Sequence, residues 1–467
     1  MRTAIALLVL WPATALSSYP LAPNDFCGAG RTCREILRAW NAASWDALVD
    51  DEFHIGSPRM AAVRKYDTEG NCSGFKCADQ LTRFGNLPSN PEQHQFYGVT
   101  DELGNVLLSH AIGEDQERFT PLRNFVEFLR DPRANNLPCW QYHINGRKAY
   151  TSNLEVCIQE PGKTPPVDTA SDGSLRILGA YGIACAKQRA GIWSGGPDFC
   201  ADYQLHGRAI AYPVTANHGE VKLLANGEHY LANGFRNQEH APTNYQAFRP
   251  DYYELQFLMD YAVYANDGNL QRGVIEMLDD YRISMGSNHI HRGKTGHFNA
   301  STTTYMCDEL CTPAYMDNID TWRAIPALSG LLVVHQSRIP TTLRNVIFDY
   351  WWTNYGSAYP PGERKPFEIY ADQQPAVIET KREFSYKTFG MWIPLGVAYD
   401  HSYARTSVRL LTENYDWSAQ RFYGAAYYGG YFSQFAQRAI GLATGLMDPS
   451  TYVAPPAPPR RRRAVRH

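Results

Sequence analysis

The chain has 467 residues, of which 44% are hydrophobic, 13% aromatic and 19% charged, and its formal net charge is -3. That length admits one large domain or several ordinary ones, and the composition suits a chain that buries a core rather than a disordered one. With a pI near 6.5 and no extended basic patch in the body of the chain, a nucleic-acid partner is not expected.

The first residues read as a signal peptide, 1–15. Arg2 precedes an apolar run from Ala4 to Trp11, and Ala13-Thr14-Ala15 forms a small-x-small cleavage site. No later segment approaches the ~20 uninterrupted apolar residues that a membrane-spanning helix needs, so a secreted chain without a span is expected. All ten cysteines, Cys27, Cys33, Cys72, Cys77, Cys139, Cys157, Cys185, Cys200, Cys307 and Cys311, lie beyond that site. An even number in an exported chain favours disulfides. The close pairs Cys72/Cys77 and Cys307/Cys311 are candidates, as are Cys139/Cys157 and Cys185/Cys200 at loop spacing. Neither close pair has the CxxC spacing of a zinc site, so no metal is expected. Asn71-Cys72-Ser73 and Asn299-Ala300-Ser301 fit the N-glycosylation sequon.

Residues 16–95 read as an irregular, turn-rich N-terminal segment around one helix from Arg34 to Val49. Apolar spacing of three and four then predicts helices at 101–113, 117–130, 173–189, 250–265, 268–283, 317–336, 341–353, 385–399, 403–413 and 427–446. Between them, 190–248 and 284–316 read as long loops carrying short hairpins, with Ala209-Ile210-Ala211-Tyr212 and Val221-Lys222-Leu223-Leu224 as strand-like runs. Long loops in a helical domain are usually functional. This pattern over 96–447 predicts a mainly α fold, an (α/α)6 toroid with long loops and short β-hairpins at one set of helix ends. From Asp448 to His467 the chain turns Pro- and Arg-rich and is expected to be a disordered tail. The alternative for that tail is an electrostatic contact with an acidic surface.

Carboxylates at helix starts are the candidate chemistry. Asp168-Thr169-Ala170-Ser171-Asp172-Gly173 leads into an apolar helix, Asp101-Glu102 opens another, and Asp317 stands before a third. Each has a plain structural explanation, since acids cap helix N-termini and complement the dipole. Together they also resemble glycoside hydrolase family 8. The run "TASDGSLRILGAYGIA" is similar to the family's "ATDGDLDIAYALLLA", and Val99 to Ser109 occupies the place of "SEGQGYGMLLA", about sixty to seventy residues earlier. Gly113-Glu114-Asp115, Phe119, Leu122 and Leu137-Pro138-Cys139-Trp140 resemble the stretch that follows. Arg249-Pro250-Asp251-Tyr252-Tyr253-Glu254 looks like "NPSYFAP", and Asp317 to Arg323 looks like "YDAIRVPLR" from the Asp onward. Phe422 to Leu442 resembles the closing helix.

The resemblance implies an endo-acting, inverting hydrolase of a β-linked polysaccharide such as a glucan, xylan or chitosan. Glu102 would be the general acid, Asp317 the base and Asp172 the carboxylate that positions the sugar. Trp140, Tyr252, Trp322 and Arg323 would line the cleft. Such chemistry protonates the leaving oxygen from one carboxylic acid and activates water with a carboxylate about 6.5–9.5 Å away, so no cofactor is implied. Two rivals stand beside it. One is an inactive glycan-binding or surface structural protein on the same fold. The other is a polysaccharide lyase using the His- and Tyr-rich loop from His289 to Tyr305, in which His289, His291 and His297 also make a weak metal motif.

Overall fold

The computed structural model describes residues 27, 30–64, 94–159, 162, 166–211, 219–223, 227–235, 246–248, 252–285, 296–299, 304–307, 319–351, 415–416, 421–422 and 437–452. Helix α1 (Cys33–Leu48) starts at a capping box in which the Thr32 hydroxyl accepts from the Glu35 amide and the Glu35 carboxylate accepts from the Thr32 amide. Strand β1 (Val49–Asp50) pairs antiparallel with β2 (Ala62–Val63). Strand β3 (Gln95–Val99) runs directly into α2 (Thr100–Ile112), which is followed by α3 (Gln116–Phe128). Strands β4 (Arg130–Asp131) and β5 (Leu137–Pro138) pair with each other, and β6 (Gln141–Asn145) returns to pair with β3.

Helices α4 (Ser171–Arg189) and α5 (Phe199–Ala211) come next, then the hairpin of β7 (Val221–Leu223) and β8 (His229–Leu231). After β9 (Gln246–Phe248), α6 (Leu255–Tyr264) and α7 (Gly268–Met285), strands β10 (Gly296–Asn299) and β11 (Thr304–Cys307) complete a three-stranded sheet of order β11-β10-β9. Helices α8 (Ile319–Val334) and α9 (Thr341–Trp351), the short pair β12 (Tyr415–Asp416) and β13 (Arg421–Phe422), and α10 over 437–444 follow.

Burial sorts the helices into two layers. Every residue of α2 is buried, as is all of α4 from Ser171 to Lys187. By contrast, α3 buries one face, through Phe119, Leu122, Phe125 and Val126. The inner helices α2, α4, α6 and α8 neighbour one another in turn, and α5, α7 and α9 lie outside them. Gly441 of α10 approaches Ile112 at the end of α2, which brings the end of the chain back to the first inner helix. The architecture is the mainly α, (α/α)6 toroid expected. One hydrophobic cluster runs from Cys27 to Met447. Trp40, Phe53 and Val63 belong to it, so 33–63 is integral to the core.

Several local expectations need correction. The stretch read as a loop after 190 contains α5, and Ala209-Ile210-Ala211 ends that helix rather than forming a strand. The helix is disguised by Gly207, at which a Cβ would meet the Tyr261 ring of α6 at 2.2 Å. Strand β3, inside and just beyond the segment read as irregular, is masked in the same way, because a Cβ on Gly98 would meet Tyr142 at 2.2 Å. The chain is also ordered past Asp448. Asp448 caps a turn over Pro449–Thr451, and the Tyr452 hydroxyl donates to the Leu446 carbonyl at 2.9 Å. The expected helices at 385–399 and 403–413, the signal peptide and the tail from 453 lie outside the described residues.

Disulfides join Cys139 to Cys157, Cys185 to Cys200, and Cys27 to Cys33, a pair that spacing alone left unassigned. Cys72, Cys77 and Cys311 are outside the described residues, as is the side chain of Cys307. Among the described residues, no helix is long and apolar enough to cross a membrane.

Candidate active site

Two helix N-termini meet at the candidate site. Strand β3 delivers the chain into α2 without a side-chain cap at Val99, and the Thr100 amide donates instead to the Trp140 carbonyl at 2.9 Å. The Trp140 amide in turn donates to the Asp168 carbonyl at 2.7 Å. At the start of α4, the Ser171 amide donates to the Asn233 carbonyl at 3.1 Å and its hydroxyl to the Ala232 carbonyl at 2.6 Å. Four stretches distant in sequence are thus stitched through main-chain groups.

Glycines let the two helices approach this closely. A Cβ on Gly173 would lie 2.7–2.9 Å from backbone atoms of Thr100 and Asp101, and one on Gly104 would lie 2.9 Å from the Gly173 carbonyl oxygen. Only residues without a side chain tolerate such an approach. The contact places Asp101 and Glu102, in the first turn of α2, beside Asp172 in the first turn of α4. All three are buried, and the helix N-termini favour their negative charge. Burial pushes the Tyr142 phenol up, helped by the nearby Glu102 and Asp101 carboxylates, while its hydroxyl donates to the Val63 carbonyl at 2.5 Å.

A buried ion network holds this carboxylate group. Asp172 accepts from the Gly173 amide at 2.8 Å, and its other oxygen lies 3.4 Å from the Arg176 guanidinium one turn along α4. Arg176 donates to the Asp101 carbonyl at 3.3 Å and to Glu254 at 2.9 Å. Arg438 of α10 grips the same Glu254 through both carboxylate oxygens. Burial alone would raise the Glu254 pKa, but the two guanidinium groups outweigh it and hold it below the ordinary value. Glu220, just before β7, lies on the other side of the α4 start and accepts from Thr169 and Ser174.

The structure therefore brings Glu102, Asp172 and Trp140 together. Tyr252 is 7% exposed and lies two residues before Glu254. Trp322 and Arg323 lie in α8, with side chains outside the described residues, and Asp317 lies outside them altogether. The same is true of Asn71, His289 and His291, and of the side chains of Asn299 and His297 in β10. Among the described residues, no group of three or more His, Cys, Asp or Glu could hold a metal ion.

Arg176, Glu254, Arg438 and Glu220 were not singled out from the sequence. One signal was present. Where the family segments quoted above carry Asp and Ala, this chain carries Arg176 and Glu254, an opposite-sign pair that the fold brings to 2.9 Å.

No family model matches the chain, and no curated protein matches it. Solved structures share its fold. A β-1,3-1,4-glucanase from Paenibacillus sp. X4 superimposes with a TM-score of 0.57 at 12% identity, over 92% of this chain and 96% of the other. Rex8A from Paenibacillus barcinonensis, solved with xylose, gives 0.55 at 12% identity, over 91% and 97%. A reducing end xylose-releasing exo-oligoxylanase gives 0.53 at 12% identity, over 92% and 96%. The resemblance to family 8 read from the motifs is matched at the level of the fold.

Proposed function

We propose that the chain is a secreted glycoside hydrolase that cleaves a β-linked polysaccharide, of glucan, xylan or chitosan type, within the chain and with inversion. The carrying observation is that Glu102 and Asp172 stand on the first turns of two helices pressed together at Gly104 and Gly173. A β-1,3-1,4-glucanase and an exo-oligoxylanase of the same fold support the glycoside-hydrolase part of this reading. In this reading Glu102 protonates the leaving oxygen, Asp317 takes a proton from the attacking water, and Asp172 holds the sugar at the cleavage point. Trp140, Tyr252, Trp322 and Arg323 line the cleft. Water does the displacement, so no covalent sugar intermediate forms. The three disulfides among the described residues and the leader-like first 15 residues support export.

Reducing-sugar release from β-glucan, xylan and chitosan tests the proposal. Glu102→Gln and Asp317→Asn should each lower turnover on the order of 10²–10⁴-fold, and proton NMR should show the product released as the α anomer. A folded wild-type protein that releases nothing from any of the three polymers would sink it. A second reading, glycan binding without turnover, is favoured by the engagement of Asp172 with Arg176 inside the ion network. Binding of intact oligosaccharide with no product would establish that reading.

A further inference from the structure

The start of α4 rests on one buried acid. Glu220 is 0% exposed, and its Oε1 accepts both the Thr169 hydroxyl at 2.6 Å and the Ser174 hydroxyl at 2.9 Å. Those residues lie three before and two after Asp172, so one carboxyl oxygen grips the turn from both sides. Thr169 is held further by the Phe235 amide, which donates to its hydroxyl at 2.9 Å. The Glu220 carbonyl accepts the Ala232 amide at 2.8 Å, and the Ala232 carbonyl accepts the Ser171 hydroxyl. The β7–β8 hairpin therefore buttresses this turn, with Glu220 as its acidic contact among the described residues. Its Oε2 is buried with no hydrogen-bond partner among the described residues. An anionic oxygen in that position would be costly, whereas a protonated one is far less so.

From these contacts we infer that Glu220 is a positioning residue which holds the Asp172-bearing turn as a neutral acid, and that the buried, uncompensated anion formed on deprotonation beside Asp168 and Asp172 favours opening of the turn in spite of the two hydroxyls, setting the alkaline limit of activity. The inference rests on the reading of Asp172 as the sugar-positioning carboxylate. Among the described residues, the charged groups facing Glu220 are Asp168 and Asp172 from the α4 start and Lys222 from β7. Helix α5 presents His206, whose Nε2 lies 2.8 Å from the Ser174 carbonyl and which burial keeps neutral. On the far side of the hairpin, Glu276 of α7 is engaged by His229. Lys222 donates to the Phe235 carbonyl at 3.1 Å, and burial depresses its pKa to about 8. Burial, with Asp168 and Asp172 close by, raises the Glu220 pKa from 4.5 to about 7, although the two hydroxyls oppose the shift. The folded state then keeps a proton that the unfolded chain has released. Its stabilising contribution is complete below 4.5 and is lost as pH rises through about 7.

Glu220→Gln keeps an Oε1 acceptor and cannot titrate. Hydrogen-exchange protection of the amides from Ser171 to Ser174, measured against those of α1 as an internal reference, should fall about tenfold between pH 6 and 8 in the wild type. In Glu220→Gln it should stay level. On the best polymer, the alkaline limb of turnover should move to higher pH in Glu220→Gln with KM unchanged. Equal loss of protection in both proteins would overturn the inference, and so would an alkaline limb that stays in place, which would assign it to Glu102 or another group. If neither protein cleaves any polymer, the hydrolase reading fails, while the exchange comparison still decides whether Glu220 clamps the turn.

Discussion

Glu254 shows how much one buried side chain has to carry. It neutralises two guanidinium groups from different helices, and through Arg176 it reaches both Asp172 and the backbone of Asp101. Such an arrangement contributes little when intact, because desolvation offsets attraction, but removing one member strands its partners. Glu254→Ala should therefore cost about 3–5 kcal/mol, read from the urea midpoint. A cost below about 1 kcal/mol would show that Arg176 and Arg438 find other partners or water.

The acids at the helix starts were legible in sequence because their chemistry is local. Asp172 sits in a run of small and hydroxyl residues before an apolar stretch, and Glu102 stands at the start of another. The groups that hold them were not legible. Arg176 and Glu254 are 78 residues apart, Glu254 and Arg438 184, and Thr169 and Glu220 51, and no local pattern encodes those meetings.

Among the elements, α2 and α4 are the decisive pair, and their spacing is set by two glycines. Gly173→Ala would drive a Cβ into the backbone of Thr100 and Asp101, which cannot rotate away. The helices must separate, at a cost of about 1–3 kcal/mol or more. The measurable outcome is a lower melting temperature together with reduced turnover. Gly268→Ala is the matched control, since a Cβ there meets nothing within 4 Å and the stability should change by less than ~0.5 kcal/mol. An equal response at both positions would remove helix contact as the cause.

Elements of this kind also explain what pattern reading found and missed. Helix α4 was visible from its apolar spacing and α7 from its single buried face. Helix α5 and strand β3 escaped because each spends a position on glycine to admit an aromatic ring from elsewhere, Tyr261 at Gly207 and Tyr142 at Gly98. Tertiary packing outweighed local propensity there.

At the scale of the molecule, a toroid of paired helices was legible from the number of helices, although α5 was not among them, whereas the fastening of the chain's last described turn was not legible. Lys187 of α4 is buried and donates to the Ala111 and Ile112 carbonyls at the end of α2. The rings of Trp193 and Tyr452 cover its ammonium at 5.6 and 5.3 Å, and burial lowers its pKa to about 7. Removing 453–467 should leave the melting temperature unchanged. Removing 449–467 takes Tyr452 as well and should lower it by about 2–6 °C. Equal melting of the two truncations would show that Tyr452 holds nothing.

That fastening has a geometric counterpart at the other end. Arg34, in the first turn of α1, pairs with Glu114 at 3.1 Å, and both charges also act on Tyr452. The first and last described stretches therefore share one seam, and the order in which the helices are strung is separable from the ring they build. A circular permutant joined across this seam and opened beside Gly227 should therefore still fold, read as a single cooperative melting transition.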